Sequence, residues 1–256
     1  MTEATDKRIA VVTGASRGIG YFAALALAEA GHHVVALART QGGLEDLDDA
    51  IKAVGGTATL VPMDITDGEK IDQLGAALFD RFGRLDVLVA NAGILGPLSP
   101  VGHVEIKKWD QVIAVNLTAN YRLIRSFDPL LRQSAAARCV FVTSGATWKI
   151  RPFWAPYAAS KAGLQALVRT YAAEVESFGV TANLLNPGRL RTAMRAQAYP
   201  GEDPTSLQPP SAVAPAIVEM TAPGETRTGL LYDFETSSWK AFQGPPPVEP
   251  PAAPQA

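Results

Sequence analysis

Short, nearly all-apolar runs recur along the chain. Most are followed by a longer stretch in which apolar residues return every three or four positions. The runs at 9–13, 34–38, 59–63, 87–90, 140–143, 181–185 and 229–234 have strand length and contain many Val, Leu, Ile and Phe residues, so they predict strands. They do not alternate apolar with polar residues, which implies cover on both faces, as in a parallel sheet. Stretches at 18–30, 70–82, 109–133 and 157–178 predict amphipathic helices. Together they predict a single-domain, doubly wound α/β fold: a mostly parallel seven-stranded sheet with helices on both faces. Ligands of such sheets bind beyond the carboxyl ends of the strands, so chemistry is expected in the loops there.

Two regions interrupt the alternation. Residues 193–210 contain Pro200, Pro204, Pro209 and Pro210, which predicts a loop or lid rather than a long helix. Residues 244–256 are dominated by proline and predict a disordered or polyproline-like tail, leaving 1–243 as one domain. The chain has 256 residues, 47% of them hydrophobic, enough to cover one core. Its 23 basic and 25 acidic residues are nearly balanced, so no charge pattern points to nucleic acid or an anionic membrane. No apolar run reaches the ~20 residues of a spanning helix, and the amino-terminal residues lack a signal-peptide pattern. A cytoplasmic location is the default expectation. Cys139 lies in an apolar run and reads as a buried thiol. His32, His33 and His103 follow no metal-ligand spacing; no metal is expected, and all three are expected at the surface.

After the first strand comes Thr13-Gly14-Ala15-Ser16-Arg17-Gly18-Ile19-Gly20, and a helical pattern starts at once. Glycines at these spacings permit a tight turn, close approach of a pyrophosphate to the backbone, and close helix–sheet packing. The free N–H groups at the helix start then face the phosphates. The second strand ends at Ala38-Arg39, where an acidic residue would hold the 2′-hydroxyl of NAD. Arg39, helped by Arg17, can instead pair with a 2′-phosphate, so NADP(H) is favoured over NAD(H); the alternative is two surface arginines.

Tyr157 and Lys161 are four residues apart on a predicted helix, and Ser144 follows an apolar strand. A phenol ionises near pH ~10. An ammonium about 4 Å away, at an effective dielectric of ~20, lowers that by roughly three units, toward the range useful for general acid–base catalysis. Taken alone, the pair also fits a solvated helix face.

The glycine loop and the Ser144, Tyr157, Lys161 set together resemble the short-chain dehydrogenase/reductase family, which has a Rossmann fold. The resemblance runs from about residue 7 to 234 and includes Asn91-Ala92-Gly93, Asn116 in Val-Asn-Leu, and Asn186-Pro187-Gly188 followed by Thr192. It implies that Tyr157 exchanges a proton with the substrate oxygen and that Lys161 lowers the tyrosine pKa and contacts the nicotinamide ribose. Ser144 would hold the carbonyl or alkoxide, and Asn116 would support a water relay to Lys161. The implied cofactor contacts are Gly14, Ser16, Arg17, Gly18, Ile19, Gly20, Arg39, Asp64, Ile65, Asn91, Ala92, Gly93, Tyr157, Lys161, Pro187, Gly188, Leu190 and Thr192. The alternatives, to which the functional roles are preferred, are that Asn116 caps or kinks its helix and that Asp64 is a plain turn residue.

The chain departs from the commonest family pattern at Ala90-Asn91-Ala92-Gly93, at Arg189-Leu190 and at Thr228-Gly-Leu-Leu-Tyr-Asp-Phe234; that ending, with Arg191-Thr-Ala-Met-Arg195 and Gly201-Glu-Asp-Pro204, resembles a bacterial subgroup of oxidoreductases without a settled substrate. The leading expectation is an NADPH-dependent carbonyl or ketone reductase. Alternatives are a 3-oxoacyl-type reductase, an alcohol dehydrogenase, or, in a different class, a dinucleotide-sensing protein with little turnover. Trp148, Phe153 and Trp154 can wall the substrate site or serve as core or subunit-contact aromatics. Arg189, Arg191 and Arg195 can contact an anionic substrate, cofactor phosphate or water. A homo-oligomer, dimer or tetramer, is implied by family analogy.

Overall fold

The computed structural model describes residues 7–243, so the tail expected over 244–256 lies outside the described residues. Each of the seven predicted runs forms a strand: β1 (Ile9–Thr13), β2 (His33–Ala38), β3 (Thr57–Pro62), β4 (Val87–Ala90), β5 (Arg138–Val142), β6 (Thr181–Asn186) and β7 (Leu231–Asp233). An eighth, β8 (Ser238–Lys240), pairs antiparallel with β7, and the other pairings are parallel. The seven-stranded expectation missed β8 because Ser-Trp-Lys carries no apolar run. The order is β3-β2-β1-β4-β5-β6-β7-β8, so the winding reverses between β1 and β4 and opens a crevice at their carboxyl ends.

The helices are α1 (Gly18–Glu29), α2 (Gln41–Ala53), α3 (Gly68–Phe82), α4 (Ile106–Ile113), α5 (Ala119–Leu131), α6 (Ala155–Val175), α7 (Ala193–Ala198) and α8 (Ala214–Met220). Side chains that alternate along each strand feed two separate cores. Ile9 and Val11 pack with Phe127, Leu164 and Val168 on one face of the sheet. Ala10 and Val12 pack with Ala24, Leu47 and Ile217 on the other. Three helices, α2, α7 and α8, were not anticipated. The first begins with a polar and two glycine residues, the second has six residues in the proline-containing segment 193–210, and the third has seven residues with a proline in its first turn.

The helix expected over 109–133 is interrupted. A π turn over Ala114–Thr118 joins α4 to α5 and carries the buried Asn116. One extra residue per turn reorients a side chain without ending the helix, a device common at functional sites. Two expectations about histidines are corrected. His32 and His33 are buried rather than exposed. The His32 ring bonds Leu27 O (3.0 Å) through Nδ1 and Arg8 through Nε2 (3.3 Å), and the His33 ring lies between the hydroxyls of Thr57 and Thr59. His33 opens β2, which is buried along its length, and His32 directly precedes it, so these buried rings take neighbouring polar partners.

Candidate functional site

The crevice between β1 and β4 is held together by Thr13, the last residue of β1. Its hydroxyl accepts from the amides of Asn91 and Ala92, both at 3.0 Å. Asn91 reaches back across the crevice, its Nδ2 donating to Thr13 O at 3.0 Å and Gly14 O at 3.4 Å. Residues 13–20 and 91–93 are therefore one clamped unit. Gly14 and Gly18 adopt φ of +67° and +60°, a region that glycine occupies without steric cost. The N-cap residue of α1, Arg17, makes no side-chain cap bond, so the first amides of that helix remain available to an anion.

A cleft of about 610 Å³ runs along this unit. Of the residues expected at the cofactor, Gly14, Ser16, Arg17, Gly18, Ile19, Arg39, Asp64, Ile65, Asn91, Ala92, Gly93 and Thr192 line it. Gly20 lies behind them, buried against the Gly14 carbonyl. At the far end, Arg39 and Asp64 face each other at 4.0 Å, both well exposed. Asp64 also closes a turn, since its Oδ1 accepts from the amide and the hydroxyl of Thr66, each at 2.8 Å. Those bonds hold its carboxyl below the usual carboxylate range. The turn reading of Asp64 and its place on the cleft wall thus hold together.

The helical spacing brings Tyr157 and Lys161 into a second, smaller cavity of about 150 Å³, together with Ser144, Pro187, Gly188 and Leu190. Asn91, Gly93 and Thr192 line both cavities, which makes them neighbours along one edge. Ser144 caps a single 3₁₀ turn after β5, its Oγ accepting from the Ala146 amide at 3.2 Å. Tyr157 and Lys161 are both buried. Burial pushes the phenol above its ordinary value, opposed by a hydrogen bond with Ser144. Burial pushes the Lys161 ammonium down to about 8, and its Nζ donates to Val142 O at 2.8 Å. The expected lowering of the tyrosine by Lys161 is therefore not seen in the protein alone, where desolvation is the larger effect.

Asn116 lines neither cavity. Its Nδ2 donates to Ile94 O (2.9 Å) and Ser160 Oγ (3.0 Å), and its Oδ1 accepts from the Ile94 amide at 2.9 Å. Ser160 in turn donates to Tyr157 O at 2.8 Å. The π turn thereby ties the loop after β4 to α6, directly under the tyrosine. A methyl group at Gly93 would lie 3.3 Å from Asn116 Oδ1 and 3.4 Å from Lys161 Nζ, so these three residues adjoin.

Loops complete the walls. Trp154 packs edge-on against the Tyr157 ring (5.9 Å between centroids) and beside Tyr199 at 5.8 Å. Phe153, at φ +74°, accepts from the Ser99 amide through its carbonyl (3.1 Å), joining the loop after β5 to the loop after β4. Trp148 and Phe153 are exposed and line neither cavity. The segment 193–210 holds α7 and is tied back by the Arg191 amide bonded to Gln208 O at 2.8 Å. Sequence reasoning missed Thr13, Ser160 and the supports of Asn186. Asn186 Oδ1 accepts from the amides of Gly145 (3.1 Å) and Gly188 (3.3 Å), while its Nδ2 donates to Asp233. Their positions at strand ends or beside quoted motifs were the available signal. Among the described residues, no group of His, Cys, Asp or Glu could hold a metal, and no helix is long and apolar enough to cross a membrane.

Comparison with known proteins gives this arrangement a context. A family model described as short chain dehydrogenase matches residues 8–203. The uncharacterized oxidoreductase YciK of Escherichia coli K12 is 34% identical over 90% of this chain and 92% of its own. An uncharacterized NAD-dependent oxidoreductase of Mycobacterium tuberculosis is 36% identical over 73% of each chain. A crystal structure of a short chain dehydrogenase from Shigella flexneri, complexed with NADP, superposes with a TM-score of 0.85 at 33% identity, covering 91% of this chain and 98% of that one.

Proposed function

The chain belongs to the short-chain dehydrogenase family, and on that premise we propose that this oxidoreductase is an NADPH-dependent carbonyl reductase with Ser144, Tyr157 and Lys161 at its reacting centre. One observation carries the reading. Ser144, Tyr157 and Lys161 share a small cavity whose edge residues, Asn91, Gly93 and Thr192, also line a nucleotide-sized cleft. The cleft fits a dinucleotide on the protein's own terms: uncapped amides at the start of α1, and a lining that includes Gly14 and Gly18, where the backbone itself can approach a phosphate.

When bound, a nicotinamide supplies the hydride. The protein's share is position and proton transfer. Ser144 holds the carbonyl oxygen next to Tyr157. With its pKa raised by burial, the phenol is protonated at neutral pH, the form that donates to a developing alkoxide. Lys161, pushed to about 8, is largely cationic at pH 7 and stabilises negative charge nearby. The buried Asn116–Ser160 bonds hold α6 in register beneath the tyrosine. Arg17 and Arg39 on the cleft wall support a 2′-phosphate, in keeping with the NADP-bound relative. The NAD-dependent relative makes that preference a matter for direct measurement.

The test is turnover of a carbonyl panel with NADPH and NADH, together with Tyr157→Phe. Loss of the proton donor is expected to lower kcat by roughly 10²–10⁴-fold. Dinucleotide affinity should stay within about twofold, because the change deletes one oxygen. Undiminished turnover in Tyr157→Phe rules out the proton role. Tight dinucleotide binding without any turnover favours a sensing protein. The proposed homo-oligomer is checked separately by light scattering of the purified protein.

A further inference from the structure

A third cavity, of about 740 Å³, shares no lining residue with the nucleotide-sized cleft but shares seven with the small reacting cavity, among them Ser144, Trp154, Asn186 and Arg195. Four cations line it: Lys149, Arg151, Arg189 and Arg195. Two carboxylates answer them. Glu235 pairs with Arg189 at 3.2 Å and Lys149 at 3.7 Å, and Glu202 holds Arg195 with two bonds of 2.5 and 2.6 Å. Among the described residues Arg151 has no carboxylate partner; its guanidinium donates to the Tyr199 hydroxyl and lies 5.9 Å from the Trp154 ring.

Two features in which this sequence departs from its family pattern contribute to this cavity. Arg189 stands directly after the Pro-Gly turn, and the unusual ending brings Phe234 and Glu235 to the wall. Gly188, at φ +66°, leaves room for the Glu235 side chain to lie on the backbone, where any Cβ would collide with its Cγ. Glu235 therefore holds Lys149 and Arg189, while Arg151 keeps for a ligand the donors that it does not give to Tyr199. A guanidinium with spare parallel donors matches a carboxylate in two-point geometry.

We propose that the substrate is a carbonyl compound bearing a carboxylate, which Arg151 binds in this cavity while its carbonyl lies at Ser144 and Tyr157. The proposal rests on the carbonyl-reductase reading. Solvated surface arginines would give a cationic exterior too, but not a concave one that opens onto Ser144.

The probe pair is 4-formylbenzoate and its neutral methyl ester. First, each is titrated onto the protein saturated with NADP⁺, where no reduction can occur. The carboxylate is expected to bind about tenfold more tightly than the ester, and Arg151→Ala is expected to erase that ratio. Arg151→Lys should restore part of it, and the preference should shrink with added salt. Second, reduction with NADPH should show the same ratio in KM rather than in kcat. Equal binding of acid and ester, or a ratio that survives Arg151→Ala, overturns the anion site even if both aldehydes are reduced. Discrimination in binding without reduction of either aldehyde leaves the anion site standing and removes the reductase reading.

Discussion

Replacing Gly20 with alanine tests whether the clamp between the glycine loop and Asn91 is as tight as described. The new methyl would collide with the Gly14 carbonyl oxygen and sit 2.5 Å from Asn91 Nδ2. Comfortable contact lies near 3.5 Å, so both groups must retreat by about 1 Å. Neither can do so freely, since Asn91 Nδ2 holds Thr13 O at 3.0 Å and Gly14 O at 3.4 Å. Overpacking of this kind costs about 1–3 kcal/mol, and a strained or broken neutral hydrogen bond adds roughly 1 kcal/mol. The sum, about 2–4 kcal/mol, corresponds to a fall in Tm of roughly 5–15 °C for a chain of this size. If about 1.4 kcal/mol of the distortion reaches the phosphate cradle, dinucleotide affinity drops about tenfold. Thermal unfolding by circular dichroism and a fluorescence titration with NADPH read the two effects. Gly42→Ala is the matched control, because a methyl there meets nothing within 4 Å. That change, within α2, should stabilise by about 0.5–1 kcal/mol. A Gly20→Ala protein with wild-type Tm and affinity would show that the loop and Asn91 are not in this contact.

Three further outcomes are expected. Arg39→Asp should narrow or reverse the preference for NADPH over NADH; an unchanged ratio of kcat/KM values means Arg39 does not read a 2′-phosphate. Burial, with the Arg8 charge next, pushes His32 below its ordinary pKa. A neutral ring with Nδ1–H toward Leu27 O and Nε2 accepting from Arg8 accounts for both of its bonds. The unfolded chain then binds the proton more readily. The stability this confers is complete above about pH 6.5 and is lost as pH falls through the lower folded value. Denaturant midpoints between pH 7.5 and 5 should show that slope, and His32→Gln should flatten it. Cys139 is buried and its thiol is pushed far up by desolvation, so a thiol reagent should label it only on unfolding.

How much could be read in advance follows from which interactions are local. Strand positions and the two-sided cover were legible because Ile9–Thr13 and its counterparts are apolar on both faces. The glycine loop was legible because turn, close approach and helix start all act within eight residues. Tyr157 and Lys161 were legible because helical spacing alone makes them neighbours. What escaped depends on contacts distant in sequence. The buried His32 ring is partnered by Arg8, twenty-four residues away, and β8 is paired with β7. The π turn at Asn116 is explained by Ile94 and Ser160, not by its own neighbours. The direction of the Tyr157 pKa also escaped, because burial is a property of the whole fold.

The single amide bond from Ser99 to the carbonyl of Phe153 has a practical consequence. It joins the two segments that follow β4 and β5, which are more than fifty residues apart in the chain. Exchanging either segment to install another substrate preference would leave the other without its latch, and Phe153 would lose a partner for its left-handed backbone. Loop transplantation into this scaffold should therefore move residues 94–105 and 145–154 as a pair. Single-loop chimeras are the ones expected to bind dinucleotide normally yet process substrate poorly.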